Sequence, residues 1–189
     1  MLNSKNLSKV LTRHVHPQLF PRWFLMSPNA TLLAYSTPAN IQELRDQATL
    51  IAMSWKEQYR LFRPDRSSVA NGDVPDGCLE TLTIELEDRN IIIRAIQPRI
   101  LLVLVGNKPA AGSKQFRLTP ETRVGGSKAG TTFADGKDKA DEGDDGDEIR
   151  DVHNDVLRVQ RRELDAATEH IRRQLSSSGF VMPEDQTVP

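Results

Sequence analysis

Cysteine is nearly absent from this chain. Cys78 is the single thiol in 189 residues, so no disulfide can form within the chain, and its chemistry suits a reducing compartment. Carboxylates are missing from the first 42 positions, Glu43 being the first. Long apolar runs are missing too: Arg94, Pro98 and Arg99 break the longest apolar region well short of the roughly 20 residues a transmembrane helix needs. Met1 to Gln18 has no continuous apolar core, so no secretory signal is expected there. Its basic, acid-free composition fits either a mitochondrial transit peptide or an ordinary first helix.

Catalytic and cofactor motifs are missing as well. Gly106 to Lys114 follows an apolar run and contains Gly, Ser and Lys, yet Ser113 precedes Lys114 and the glycines are one residue too far apart for a phosphate loop. Asp141 to Val152 has Gly146 at the sixth position of a calcium loop. Its third position is Gly143 and its twelfth is Val152, where a bidentate Glu is required. His14 and His16 could share a metal only with ligands from elsewhere in the chain, and His153 and His170 have no Cys or carboxylate partners at metal-site spacing; all four read as solvated or capping residues. No Gly-x-Ser-x-Gly elbow brings Ser, His and Asp together. The expectation is a protein without catalytic residues, cofactor or metal.

Composition bounds the rest. Hydrophobic residues make up 38% of the chain and the mean hydropathy is -0.49, low for a chain packed throughout, so part of it is expected to be disordered. A net charge of -1 gives no overall attraction to nucleic acid or anionic lipid. Carboxylates instead concentrate between Asp135 and Asp151.

The densest structural signal is Leu79 to Val105. Leu82, Ile84 and Leu86 alternate with Thr81, Thr83 and Glu85, the period of a half-buried strand. Glu87 to Asn90 supplies a turn, and Ile91 to Ile96 resumes as a β-branched strand. After Gln97-Pro98-Arg99, Ile100 to Val105 has no polar face, which marks a central strand covered on both sides. Helices elsewhere must provide that cover. Ser4 to His14 places Leu7, Val10 and Leu11 on one helical face, with Lys5, Lys9 and Arg13 opposite. Trp23 to Ser27 and Thr31 to Ser36 read as a hairpin around Pro28-Asn29-Ala30.

Asn40 caps a helix of about five turns with the core-facing stripe Ile41, Leu44, Ala48, Ile51, Trp55 and Tyr59. Leu50, Met53, Ser54 and Glu57 form a second stripe on that helix, which fits either a partner surface or ordinary scattered exposed apolar residues. Pro64 to Gly77 is a polar loop. Gly106 to Arg150 reads as a disordered, low-complexity insertion with an acidic run. A last helix from Asp151 carries Leu157, Leu164, Ala167, Ile171 and Leu175, and ends at Ser176-Ser177-Ser178-Gly179.

This order of elements resembles the roadblock family of small dimerising α/β domains. The opening Met1 to Leu11, the segment Leu32-Leu33-Ala34-Tyr35-Ser36, and Leu79 to Val105 with its Asp88-Arg89 turn are similar to the roadblock subunit of the Ragulator complex, the EGO complex of fungi. The resemblance implies an α+β fold: a five-stranded antiparallel sheet in the order 2-1-5-4-3, with the long helix on one face and the other two helices on the opposite face. It divides the chain into a core over 1–105, the insertion over 106–150, a helix of the same domain over 151–176 and a tail over 177–189.

It also implies a non-catalytic scaffold that forms a heterodimer with a second roadblock-domain protein and binds Rag-type small GTPases. That complex sits on the cytosolic face of a vacuole or late endosome, held by a lipidated subunit, and supports amino-acid signalling to the TOR kinase. Any nucleotide-exchange effect would belong to the assembly. In the family, the edge strand Leu79 to Leu86 joins its counterpart and the long helices pack together. Leu50, Met53, Glu57, Thr81, Thr83 and Glu85 are therefore the expected interface residues. A dynein-type roadblock light chain is the alternative on the same fold, and a small-molecule sensor or enzyme is an alternative of another class.

Overall fold

A computed structural model describes residues 4–62, 78–108, 117–122 and 145–182. The elements run α1 (Ser4–Arg13), β1 (Arg22–Met26), β2 (Leu32–Tyr35), α2 (Ile41–Leu61), β3 (Leu79–Glu85), β4 (Arg89–Gln97), β5 (Ile100–Asn107), β6 (Arg117–Thr122) and α3 (Asp145–Ser177). The strands form one sheet in the order β2-β1-β5-β4-β3-β6, and every pairing in it is antiparallel. The five expected strands keep their expected order, with a sixth added beyond β3.

Burial follows residue chemistry. β5 is buried from Ile100 through Gly106, because helices cover both of its faces. Phe24, Met26, Leu82, Ile84, Ile93, Leu101 and Val103 point toward α2, where Leu44, Ala48, Ile51, Ala52 and Trp55 meet them. Trp23, Leu25, Ile92, Leu102 and Leu104 point the other way, toward Leu7 and Leu11 of α1 and Leu164, Ala167, Ile171 and Leu175 of α3. Each fully buried Leu or Ile contributes roughly 1.5–3 kcal/mol relative to exposure. Ile41 was expected in the α2 stripe, but it is exposed, and the buried stripe begins at Leu44.

Helix ends obey local rules. The Asn40 side-chain oxygen accepts from Gln42 N at 3.0 Å and Glu43 N at 3.4 Å, satisfying two otherwise unpaired amides of α2. At the end of α3, Gly179 has φ +60°, Gly179 N donates to Ser176 O at 3.1 Å and Phe180 N to Leu175 O at 3.1 Å. These two bonds make a Schellman motif, in which a left-handed residue turns the chain back onto the helix.

Three sequence expectations need correction. The insertion over 106–150 contains β6, which pairs with β3 from Leu79↔Thr122 to Glu85↔Arg117. A polar segment with Pro120 lacks strand periodicity, yet an edge strand tolerates proline, and main-chain pairing with β3 supplies the order. The same span also gives up Gly106 and Asn107 to β5 and its last residues to α3, which begins at Asp145. The tail over 177–189 begins with a docked segment. Phe180 and Met182 pack against the α3-side core, Gln97 Nε2 donates to Phe180 O at 2.9 Å and Met182 N donates to Gln97 Oε1 at 3.4 Å. The loop Pro64 to Gly77, and 109–116 and 123–144 of the expected insertion, lie outside the described residues.

Candidate partner interface

The six expected interface residues divide into two groups. Leu50 and Met53 are 65% and 66% exposed, and the Glu57 side chain is 69% exposed beside Arg60. All three lie on the side of α2 turned away from the sheet. Leu61, 69% exposed, continues the same line four residues beyond Glu57. Sequence reading missed Leu61, although its spacing from Glu57 carries the signal. Leu50, Met53, Glu57 and Leu61 thus make a mixed, mostly apolar stripe of about three turns, opposite the buried stripe of the same helix.

Thr81 and Thr83 belong to the other group. They are buried, at 2% and 0% exposure, so the expectation that they face a partner is corrected. Arg94 Nε donates to Thr81 Oγ1 at 3.0 Å, and a guanidinium nitrogen of Arg161 donates to Thr83 Oγ1 at 3.3 Å. The polar face of β3 lies under the charged side of α3, whose long arginines cover it with their stems and bond with their heads. Glu85 is partly covered beside Lys108, at 3.9 Å. The main-chain edge of β3 is taken by β6, and Arg161 fastens that strand through Glu121 at 2.9 Å.

The α3 side of the sheet is polar in its interior. Gln160 is fully buried; its amide nitrogen donates to Leu19 O at 2.9 Å and Asn107 O at 3.0 Å, and its oxygen accepts from Asn90 Nδ2 at 3.0 Å. Gly106 permits this, because a Cβ there would lie 2.2 Å from Gln160 Nε2. Arg94 also pairs with Asp165, Arg172 with Glu80 at 3.6 Å, and His14 with Glu163 at 2.9 Å. His14, expected to be solvated or capping, therefore ties α1 to α3.

Charge around α2 is set by Arg22. Its guanidinium holds Glu43 at 2.8 Å and 3.2 Å and Gln47 at 3.1 Å, and the hydrogen bond and charge of Arg22 keep the Glu43 carboxyl below the usual glutamate range. At the β3–β4 turn, the Arg89 side chain bonds both Asp88 carboxylate oxygens and lowers the Asp88 pKa. Burial raises the Cys78 thiol, partly offset by a hydrogen bond from Tyr59, so this cysteine is a packed side chain and a weak nucleophile. Among the described residues no His, Cys, Asp and Glu cluster is arranged for a metal, and no helix is long and apolar enough to cross a membrane. Asp145 to Val152 is helical, a geometry unlike a calcium loop.

Neither a protein-family model nor a curated protein matches this sequence. Solved structures do share its architecture. Myxococcus xanthus MglB superposes with a TM-score of 0.54 at 10% identity, over 98% of this chain and 97% of that one. A roadblock/LC7 domain from Streptomyces avermitilis gives a TM-score of 0.41 at 11% identity, over 53% and 75% of the two chains. The gliding protein MglB from Thermus thermophilus gives 0.41 at 16% identity, over 55% and 73%. At such identities the likeness is one of fold: the chain shares the α+β architecture of Myxococcus xanthus MglB, built here as a six-stranded antiparallel sheet with α2 on one face and α1 and α3 on the other.

Proposed function

We propose that this chain is a non-catalytic scaffold of the Ragulator or EGO kind, which pairs through α2 with a second roadblock-domain protein. The pair helps hold Rag-type small GTPases on the cytosolic face of a vacuole or late endosome, in support of amino-acid-dependent TOR signalling. A lipidated companion subunit supplies the membrane anchor. The observation that carries this reading is the outer face of α2, where Leu50, Met53 and Leu61 stand 65%, 66% and 69% exposed in one line. A helix already buried along its inner face gains nothing for its own fold from a second apolar stripe, whereas a partner helix laid along it would bury both.

Because β6 occupies the edge of β3, pairing through the helices does not require opening the sheet. The resemblance in sequence adds the choice of Rag-type GTPases over other partners. The test is affinity purification of the tagged chain from its own cells, wild type beside Leu50→Ser with Met53→Ser. Recovery of a second roadblock protein with Rag GTPases, lost in the double variant, is the expected result. Dynein intermediate chains in their place would assign the chain to a motor, and an unchanged partner set in the variant would remove α2 from the interface.

A further inference from the structure

A groove of about 620 Å³ runs between α1 and β2, lined from α1 by Ser4, Lys5, Ser8, Lys9, Thr12 and Arg13 and floored by Leu33, Ala34, Tyr35 and Thr37. It lies on the side of the molecule away from β3 and β6, since β2 is the opposite edge of the sheet. The hydroxyls of α1 close that edge: Tyr35 N donates to Ser8 Oγ at 3.4 Å and Thr37 N to Thr12 Oγ1 at 3.1 Å. Lys5, Lys9 and Arg13 are exposed along the rim. No ion pair within the described residues involves any of the three, and no carboxylate precedes Glu43 in the sequence.

We propose that this groove is a docking site for an acidic peptide segment of a partner protein, bound in extended form with alternate carboxylates facing Lys5, Lys9 and Arg13. Spacing selects this occupant. Residues four apart on a helix are separated by about 6 Å along its axis, so the three cations span about 12 Å. Alternate side chains of an extended peptide recur every 6.6 Å or so, and three of them span about 13 Å. The intervening side chains of such a peptide then meet the floor at Leu33, beside Ala34, which is buried, and Tyr35, which packs toward the α2 side.

Other anions fit less well. A single phosphate needs donors converging on one point, whereas these cations stand in a row. A bilayer surface is held by an inserted apolar helix face or by a cluster of roughly four or more cations. The apolar face of α1 is spent in the core, with Leu7, Val10 and Leu11 at 4%, 8% and 0% exposure, and among the described residues the groove's rim carries Lys5, Lys9 and Arg13 alone. The proposal does not depend on the identity of the protein that pairs through α2.

The experiment titrates the full chain with a fluorescent peptide that alternates glutamate with leucine, beside the same peptide carrying glutamine for glutamate. The glutamate peptide should bind, and weaken as ionic strength rises. Lys9→Glu with Arg13→Glu should reduce its affinity by about tenfold or more, two exposed attractions having become repulsions, with the circular dichroism spectrum and melting temperature unchanged. Equal binding of the two peptides, no binding by the full chain, or an affinity untouched by the charge reversals would each overturn the site. So would sedimentation of the chain with phosphatidylserine vesicles, lost in the same variant, in the absence of peptide binding.

Discussion

The two faces of the sheet are filled by different physics. Under α2 an apolar cluster fills the interior, from Phe24 and Met26 to Trp55 and Leu82. Under α3 the apolar patch around Leu164, Ala167 and Ile171 is bordered by buried Thr81, Thr83, Asn90, Gln160 and Thr168. All three buried side-chain atoms without a partner among the described residues, Asn90 Oδ1, Arg161 Nε and Thr168 Oγ1, are also on this side. Apolar contact is non-directional and forgives small shifts. Buried hydrogen bonds fix one register, since an unpaired donor or acceptor is costly. The α2 face is thus the stability reserve, and the α3 face sets where its helix sits.

The largest effect should come from the apolar face. Trp55→Ala removes a side chain that is 3% exposed from the α2 seam and should cost about 3–5 kcal/mol in denaturant unfolding. A smaller loss there would show that α2 can settle into the cavity.

Next comes the polar face. Gln160→Leu leaves Leu19 O and Asn107 O without their side-chain donor and Asn90 Nδ2 without its acceptor, and should cost about 2–4 kcal/mol. Gly106→Ala should destabilise by about 1–3 kcal/mol, because its Cβ displaces the Gln160 amide. In a Gln160→Ala background most of that loss should vanish, and additivity in the double-mutant cycle would show the two sites to be independent.

A smaller effect is the acid limb of the α2 face. The folded-state pKa of Glu43 is depressed by Arg22, so its stabilisation is present above the ordinary glutamate pKa of about 4.3 and is lost as pH falls through the folded value. The Glu43 side chain is 44% exposed, so solvent screening keeps the contribution below about 1 kcal/mol. Arg22→Met should flatten this part of the pH–stability curve. The smallest effect is expected on the outer face of α2: Leu50→Ser with Met53→Ser should leave unfolding within about 0.5 kcal/mol of wild type. A large loss would mean that these side chains serve the fold rather than a partner.

The α2 side of this comparison was readable from sequence. Leu44, Ala48, Ile51 and Trp55 recur at helical spacing, and Leu82 and Ile84 at strand spacing, and all six reach the core they imply. Leu50, Met53 and Glu57 were readable for the same reason, as a second line on that helix. On the α3 side only the apolar stripe was readable, Leu164, Ala167, Ile171 and Leu175 reaching the core; the polar contacts were not. Thr81 and Thr83 alternate with apolar residues as solvent-facing positions do, and nothing in β3 itself reveals that Arg94 of the next strand bonds Thr81 or that Arg161, from a helix some 80 residues later, bonds Thr83. Arg117 to Thr122 carries no pattern of its own, and becomes a strand because β3 offers a row of unpaired main-chain groups.

By itself, then, the sequence determined the three helices, the five strands from β1 to β5, which strand is central and which side of α2 is buried, because periodicity is a local property of the chain. Tertiary structure alone decided that β6 closes the β3 edge, that Gln160 enters the core where Gly106 makes room, and that Lys5, Lys9 and Arg13 share a groove with β2. Those outcomes depend on groups distant in the chain meeting in space, and their energies exist only once both partners have lost water to each other.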